Sequence, residues 1–422
     1  MFTLCIKCKG KGWCGKPCEI LARFKDKAPK PKLHFSGSSP PEIFVGRVGY
    51  PRVFSGILAP TEKGETSQLA SPEQWVENNL NIEQILELRG QLIYGRSIIH
   101  IKSNQGRIKQ VTQELAMSSK PVSTEIFLSK KPNLNFHPSK VFSIMTNPAP
   151  LKKAILEENP KIEKKVDYLV SDYDVKSTIA IKELYQSKIL TSHLQKLLAA
   201  GLLGIKTTRR MVPTRWAITA VDDTLGKQLL EKIRIYPEIN QFQLFHYDYN
   251  GNHFEILFLP GNWTFEVIEV SMAGSVWGEQ FTLGKNKYKG NKSELGIGVD
   301  EDVFMQDYEG FFPRKKYAEQ VAGGYYADRL GVCEYLEKIK KQATCLVFHE
   351  ERPEYYAPLG VGIIRESVRK AMQTKPETPQ TINEALIQMG MRLKAPIHKY
   401  KKMSWVLEHY GKQKKITEFF NH

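Results

Sequence analysis

Four cysteines crowd the first 18 residues: Cys5, Cys8, Cys14 and Cys18, spaced C-x2-C-x5-C-x3-C. A two-residue gap lets one turn present two thiolates to the same ion, and the second pair does so with three. Gly10, Gly12, Gly15 and Pro17 supply the sharp turns that bring the pairs together. Four thiolates leave no open coordination position, so the chemistry expected is a closed structural Zn2+ site rather than metal catalysis. An iron–sulfur cluster is the alternative, since thiolates suit both metals. Lys7, Lys9, Lys11 and Lys16 surround the thiolates and offset their charge. The other reading, four unliganded core cysteines, fits poorly because the residues between them are mainly lysine and glycine.

The opposite end closes in QKKITEFFNH. Gln413, Ile416, Phe419 and Phe420 fit the sliding-clamp-interacting pattern Q-x-x-aliphatic-x-x-aromatic-aromatic. On one helical turn Ile416, Phe419 and Phe420 share a face and form an apolar plug for a hydrophobic groove. Gln413 adds an amide that can donate and accept at the groove's edge. The competing reading makes the phenylalanines the end of a docked amphipathic helix continuing Met403, Val406, Leu407 and Tyr410. That stripe breaks at Lys412, Gln413, Lys414 and Lys415.

Three segments of the body carry candidate sites. TTRRMVPTRWAITAVDD places Arg209, Arg210 and Arg215 beside an expected strand, RWAITAV, and their forks suit phosphate or base edges. Their structural alternative is a salt-bridge network with Glu266 and Glu269. Asp222 is read as the cap of a helix over DDTLGKQLLEKI. FHEERPEYYAPLGVGIIRE offers His349, Glu350, Arg352, Tyr355 and Arg365 past the end of a buried strand, ATCLVF, where clefts commonly open. A solvated polar loop is the alternative there. FSGSSPPEIFVGR has Ser36, Gly37, Ser38 and Ser39 in a loop able to nest an anion, without P-loop spacing.

The elements that must position these groups follow from pattern. The 422 residues are 41% hydrophobic, enough for two or three domains with sizeable cores. No apolar stretch approaches the roughly 20 residues of a membrane helix, and the amino terminus lacks a secretion-type apolar region. A soluble, cytoplasmic protein with no membrane partner is expected. Lysine and arginine number 61 against 45 acidic residues, and a net charge of +16 draws polyanions, nucleic acid first among them.

An irregular loop is expected over ARFKDKAPKPKLHFSGSSPP and short strands over EIFVGRVGYPRVFSGILAP. A helical region follows near 72–95 with Ser71 or a neighbour as N-cap, then strand IIHIK, helix GRIKQVTQELAM and strand VSTEIFLS. Residues 149–205 read as mostly helical, and NQFQLFHYDY and HFEILFLP as a hairpin around Asn250-Gly251. WTFEVIEVSM is a further strand, a long helix is expected from Pro313, and helices close the chain. The class is α+β, with a mixed or antiparallel central sheet. Four parts are drawn: a zinc knuckle at 1–20, an α/β region at 21–145, a main α+β domain at 146–410 and a clamp-binding tail at 411–422.

The four-cysteine start and the tail, together with FVGRVGYPRV (44–53), TRRMVPTRWAITAVDD (208–223), YAEQVAGGYYADRLGVCEYL (317–336) and RPEYYAPLGVGIIRESVRKAM (352–372), resemble the archaeal Nre family of DNA repair proteins, its NreA branch in particular. The resemblance spans nearly the whole chain. It implies a role in DNA damage repair and binding to the archaeal sliding clamp, PCNA, through Gln413, Ile416, Phe419 and Phe420. It implies no catalytic residues.

The leading expectation is a clamp-recruited DNA repair factor that contacts DNA and carries a structural Zn2+. Two alternatives stay open. One is a metal-dependent nuclease or nucleotide-acting enzyme with Asp222, Asp223, Glu266 and Glu269 as hard-cation ligands. The other is a nucleotide-binding module built on the arginine segments with Tyr325 and Tyr326.

Overall fold

The computed structural model describes residues 18–30, 32–103, 106–133, 141–144, 147–277 and 302–412. It divides into two compact units, one of residues 1–228 with 357–366, the other of 229–356 with 367–422. This division differs from the boundary drawn near residue 146, which falls just before a strand of the first unit's sheet.

That sheet has six strands: β1 (His34–Ser39), β2 (Ile43–Val45), β3 (Arg52–Ala59), β4 (Ile93–His100), β5 (Val122–Leu128) and β6 (Pro148–Leu156). Their order is β1-β5-β6-β4-β3-β2, antiparallel except for the parallel β4–β6 pair. Strand β5 alternates buried and half-exposed residues along its length, the signature of a sheet with one face in the core. Helices α1 (Glu19–Lys27), α2 (Pro72–Glu77), α3 (Ile82–Gly90) and α4 (Arg107–Met117) belong to this unit, as do α5 (Lys164–Ser171), α6 (Ser177–Gln186) and α7 (Thr191–Ala199). Ser71 caps α2 as expected, accepting from the Gln74 amide. Asn81 and Gln84 close a reciprocal capping box on α3. Helix α8 (Thr214–Ile233) starts in this unit.

The second unit is built on five strands: β7 (Gln243–Tyr249), β8 (Asn252–Leu259), β9 (Thr264–Ser271), β10 (Val303–Glu309) and β11 (Thr344–Glu351), in order β10-β9-β11-β8-β7. Only β9–β11 is parallel. The central strands β8 and β11 are buried at every position, with apolar runs Ile256–Leu259 and Cys345–Phe348 beside buried His and Glu side chains. The hairpin at Asn250-Gly251 forms as expected, with φ of 52° and 78° at the two turn residues. Helices α9 (Gly323–Ile339), α10 (Val361–Ala371), α11 (Ile382–Arg392), α12 (Ile397–Met403) and α13 (Trp405–His409) complete the described chain. One core of this unit joins Leu257, Ile268, Leu346 and Phe348 of the sheet to Ala385, Leu386, Met389, Tyr400 and Val406.

Several expectations are corrected. RWAITAV is not a strand but the start of the 20-residue helix α8. Its aromatic and β-branched residues suit a strand, yet Ala217, Ile218, Val221 and Leu225 recur at helical spacing and are buried. Asp222 therefore sits inside the helix and caps nothing. HFSGSS, read as an anion-nesting loop, is strand β1, pairing with β5 in antiparallel register from His34↔Phe127 to Ser39↔Val122. The Ser39 hydroxyl is spent on Thr124 at 2.6 Å. The start of the expected irregular loop, residues 22–27, is instead part of helix α1. Strand β6 opens the region read as mostly helical, and the helix expected from Pro313 begins only at Gly323.

Candidate functional site

Several segments of the first unit converge on one cavity of about 250 Å³. Strand β2 and the turn after it contribute Phe44, Val45, Gly46, Arg47 and Val48, while β3 and β4 contribute Phe54, Tyr94 and Arg96. Phe142 and Pro148 come from farther along the chain, and Pro213 and Arg215 from the start of α8. The Thr214 hydroxyl accepts from the Val45 amide at 2.9 Å, which ties the helix start to β2.

The aromatic walls are held by one another. Phe44 meets Tyr94 edge-on, centroids 5.5 Å apart, and Phe142 at 4.8 Å with a 59° tilt. Phe44, Tyr94 and Phe142 share a small core with Leu58, Leu69 and Leu92. Burial pushes the Tyr94 phenol well up, so it stays neutral, and its hydroxyl is directed at the Phe44 carbonyl, 3.4 Å away. Phe54 differs: it stands on the outward side of β3 with 39% of its surface exposed. The Arg96 guanidinium lies 4.2 Å from the centre of that ring. The register explains the reach, since Arg96 pairs with Gly56 and so stands diagonally across from Phe54. Gly56 is required there, because a Cβ would come within 1.8 Å of the Gly95 carbonyl oxygen.

Carboxylates hold several arginines of the chain in place. Arg365 pairs with Asp222, Arg369 with Glu334, Arg392 with Glu255 and Arg329 with Glu309. Among the described residues no carboxylate lies within ion-pair distance of Arg47, Arg96 or Arg215. Arg215 also occupies the first turn of α8, where the helix dipole disfavours a cation. An arginine kept there without a carboxylate is suited to meeting an external anion. Beside the mouth, Val48 is 85% and Trp216 45% exposed, and Trp216 packs on Tyr50 with centroids 5.2 Å apart.

The residues singled out from sequence are not brought together. Arg209 is structural: it donates to the carbonyls of Gly204, Val170 and Asp172 at 2.6, 2.7 and 2.6 Å and lies over the Tyr173 ring. Arg210 is exposed, and Arg215 alone of the three lines the cavity. Arg365 is fully buried against Asp222, and His349 is fully buried between Asn252 and Glu269, so neither can touch nucleic acid. Arg352 is engaged by Glu350, Asp248 and the Arg392 carbonyl.

Tyr325 and Tyr326 are buried too, so they offer no stacking surface. The four carboxylates proposed as cation ligands fall in different units with partners of their own. Asp222 has Arg365 and Asp223 has Lys227. Glu266 accepts from Ser404, Gln306 and the amides of Trp405 and Val406, and Glu269 faces His349. Among the described residues no three His, Cys, Asp or Glu side chains are grouped to hold a metal ion. Among the described residues Arg209, Arg210 and Arg215 have no carboxylate within ion-pair distance, so the expected network with Glu266 and Glu269 is not found.

Cys5, Cys8 and Cys14, and the tail residues Gln413, Ile416, Phe419 and Phe420, lie outside the described residues. Cys18 is described, and its Sγ accepts from the Leu21 amide at the start of α1.

Sequence reasoning passed over Phe44, Arg47, Phe54, Tyr94, Arg96 and Phe142. The signal was present in FVGRVGYPRVF, where aromatic and arginine residues interleave between glycines. Phe142 and Arg96 enter only through tertiary packing.

Models of the archaeal Nre N-terminal and C-terminal regions match residues 13–278 and 309–419. The chain belongs to the archaeal Nre family. It is 33% identical over 98% of its length to the DNA repair protein NreB of Archaeoglobus fulgidus, covering 99% of that protein. It is 35% identical to the DNA repair protein NreA of the same organism, over 92% of this chain and 93% of the relative. The DNA repair protein NreA of Haloferax volcanii is 32% identical over 83% of this chain and 81% of the relative. No solved structure matches this Nre chain. The match to the family's N-terminal region includes every residue that lines the cavity. Among the described residues no helix is long and apolar enough to cross a membrane.

Proposed function

We propose that this chain is a DNA repair factor that contacts DNA through the arginine- and aromatic-lined cavity of its first unit and is recruited to the sliding clamp PCNA by its tail. The observation that carries the DNA contact is the set of Arg47, Arg96 and Arg215, held without carboxylate partners beside the exposed ring of Phe54. Cations left unpaired at one place neutralise phosphates, and a half-exposed aromatic offers a base a stacking face. A surplus of +16 supplies the long-range attraction that brings DNA to this face. The names of the relatives point the same way.

The clamp contact rests on Gln413, Ile416, Phe419 and Phe420. The helical stripe before them is used up inside the protein: Met403, Val406, Leu407 and Tyr410 pack on the second unit's core, and the Tyr410 hydroxyl donates to Pro260. Gly411, with φ of 74°, and Lys412 then turn outward to solvent. At the other end Cys5, Cys8, Cys14 and Cys18 hold one structural Zn2+, with Cys18 at the start of α1.

Fluorescence anisotropy with the full chain and single- and double-stranded oligonucleotides over a salt series tests the DNA contact. Affinity should fall steeply with salt, with a slope near −0.7 to −0.9 per phosphate neutralised. Arg96→Ala and Arg215→Ala should each weaken binding and flatten that slope without lowering the melting temperature. Arg209→Ala should do the reverse. Equal affinity and slope in the Arg96 and Arg215 variants would remove this face from the DNA contact.

A further inference from the structure

We propose that the cavity walled by Phe44, Phe54, Tyr94 and Phe142 receives one unpaired nucleobase lifted out of a bound strand, which deepens the DNA-contact reading above and rests on it. At about 250 Å³ the space lies just below the roughly 300–1,000 Å³ of ordinary ligand pockets. It therefore encloses a single flat ring system, not a whole nucleotide or a side-chain cluster from a partner.

The walls select for such a ring. Phe44, Tyr94 and Phe142 are tilted against each other at 89° and 59°, so they frame a slot and do not close it by stacking together. The Arg96 guanidinium, itself a flat π-system, lies 4.2 Å from the centre of the Phe54 ring and 5.8 Å from that of Tyr94. A base stacking on that face of Phe54 takes the guanidinium's place and displaces it towards the rim. Arg96 is then left next to the incoming strand, where a phosphate can pair with it.

The rim settles the class of ligand. An apolar slot alone would also suit a lipid chain or a partner's aromatic side chain, but neither calls for three cations. Arg47, Arg96 and Arg215 stand around one opening without an acid among the described residues, the arrangement that a base still attached to its sugar-phosphate backbone requires. Few polar groups converge inside, and the Tyr94 hydroxyl faces the Phe44 carbonyl. The slot therefore grips the faces of a base and reads little of its edge, which predicts tolerance of base identity.

The test compares short single-stranded oligonucleotides of equal length, one intact and one carrying an abasic position at its centre, both titrated into the full-length protein. Phosphate contacts are the same in both, so any difference reports the base. The intact strand should bind about tenfold tighter, the scale of one base–aromatic stack. Phe54→Ala should erase that difference, and Phe54→Trp, which keeps a ring, should restore it.

Equal binding of the two strands by the native protein, with a steep salt dependence intact, overturns the base pocket and leaves the DNA contact standing. Free deoxyadenosine monophosphate supplies the separate arm. If no oligonucleotide binds but the mononucleotide does, and Phe54→Ala abolishes it, the pocket holds a base and the DNA-contact reading fails. If neither binds, both fail. Circular dichroism melting of the Phe54 variants guards against loss of fold, which is not expected at a half-exposed side chain.

Discussion

Arg365 directs one nitrogen, Nη1, at both carboxylate oxygens of Asp222, 3.1 Å from each, and both side chains are fully buried. Gln195 adds an amide hydrogen bond to the same carboxylate at 3.1 Å, and Glu366 accepts from Arg365 Nε at 3.2 Å. The pair fastens the segment at 357–366 to helix α8 within the first unit. Desolvating two such charges costs several kcal/mol each, which their mutual attraction and hydrogen bonds return only while both are present.

Asp222→Ala is accordingly expected to destabilise the first unit by about 3–5 kcal/mol, because it takes away the buried carboxylate that Arg365 Nη1 meets and leaves Glu366 at Nε. Replacing both partners, as in Asp222→Leu with Arg365→Met, should recover much of that loss. Urea denaturation of the three variants measures it. DNA affinity of whatever remains folded should be unchanged, since neither group reaches the surface. A loss of affinity with no loss of stability would return the pair to the list of DNA contacts.

The second unit holds a different buried cluster. His349 on β11 stands in register with Glu269 on the parallel strand β9, its Nδ1 3.6 Å from Glu269 Oε2, while Nε2 meets Asn252 at 3.2 Å. Burial pushes the His349 imidazole down, but the Glu269 carboxylate and its acidic neighbours hold it above its ordinary value. Asp328 on α9 is fully buried beside them, and burial above all, with Glu269 adding to it, pushes its carboxyl up to about 7.

A carboxyl raised in this way contributes its full stability below its ordinary value of 3.8, and that stability drains away as pH rises towards about 7. The melting temperature of the second unit should therefore fall between pH 4 and pH 8. Asp328→Asn should flatten that decline, with a gain on the order of a few kcal/mol at pH 8 and none near pH 4. His193 in the first unit has the opposite sign, since burial pushes its imidazole down to about 4 and its share of stability is lost as pH falls from 6.5 to 4. Calorimetry across this range, following the two units separately, reads both trends. A pH-independent second unit in the native protein would show that Asp328 is not held neutral.

The zinc prediction is simpler. Protein prepared without chelator should carry one equivalent of Zn2+, and Cys8→Ser should release it while leaving the melting of the two described units close to native. Thiolate coordination replaces a core too small to form alone, so the damage stays in residues 1–20. Metal analysis below about half an equivalent would count against the knuckle, and a brown protein would identify an iron–sulfur cluster instead.

What sequence made legible was local chemistry. Ser71 as a cap, Asn250-Gly251 as a hairpin turn and the apolar segment ATCLVF leading into β11 each depend on near neighbours, and each is found. What it missed depended on distant partners. HFSGSS has small side chains and a glycine, yet it is a strand because β5 lies beside it and supplies the ladder. RWAITAV has strand-type residues, yet burial along one helical face overrides that preference. Of the three arginines grouped by sequence, backbone carbonyls claim Arg209, and only the placement of α8 beside β2 turns Arg215 towards the cavity.

The clamp contact yields the sharpest prediction. Deleting residues 413–422 should abolish binding to PCNA while leaving the melting profile and the salt-dependent DNA affinity unchanged, because the last helical stripe, ending at Tyr410, is already docked on the second unit's core. Phe419 and Phe420 should be the anchors, each costing more than about 1 kcal/mol on truncation to alanine, as buried aromatic hot spots do. Gln413→Ala should cost less, since a hydrogen bond at the rim is partly exchanged for one to water. Lys414 and Lys415 should govern association rate and salt sensitivity more than final affinity. A free peptide of residues 411–422 should compete with the full chain for the clamp. Titration calorimetry of clamp with the Phe419→Ala/Phe420→Ala double variant decides the matter. Affinity equal to the native protein's would mean that these rings serve the protein's own core, and recruitment to the clamp would need another surface.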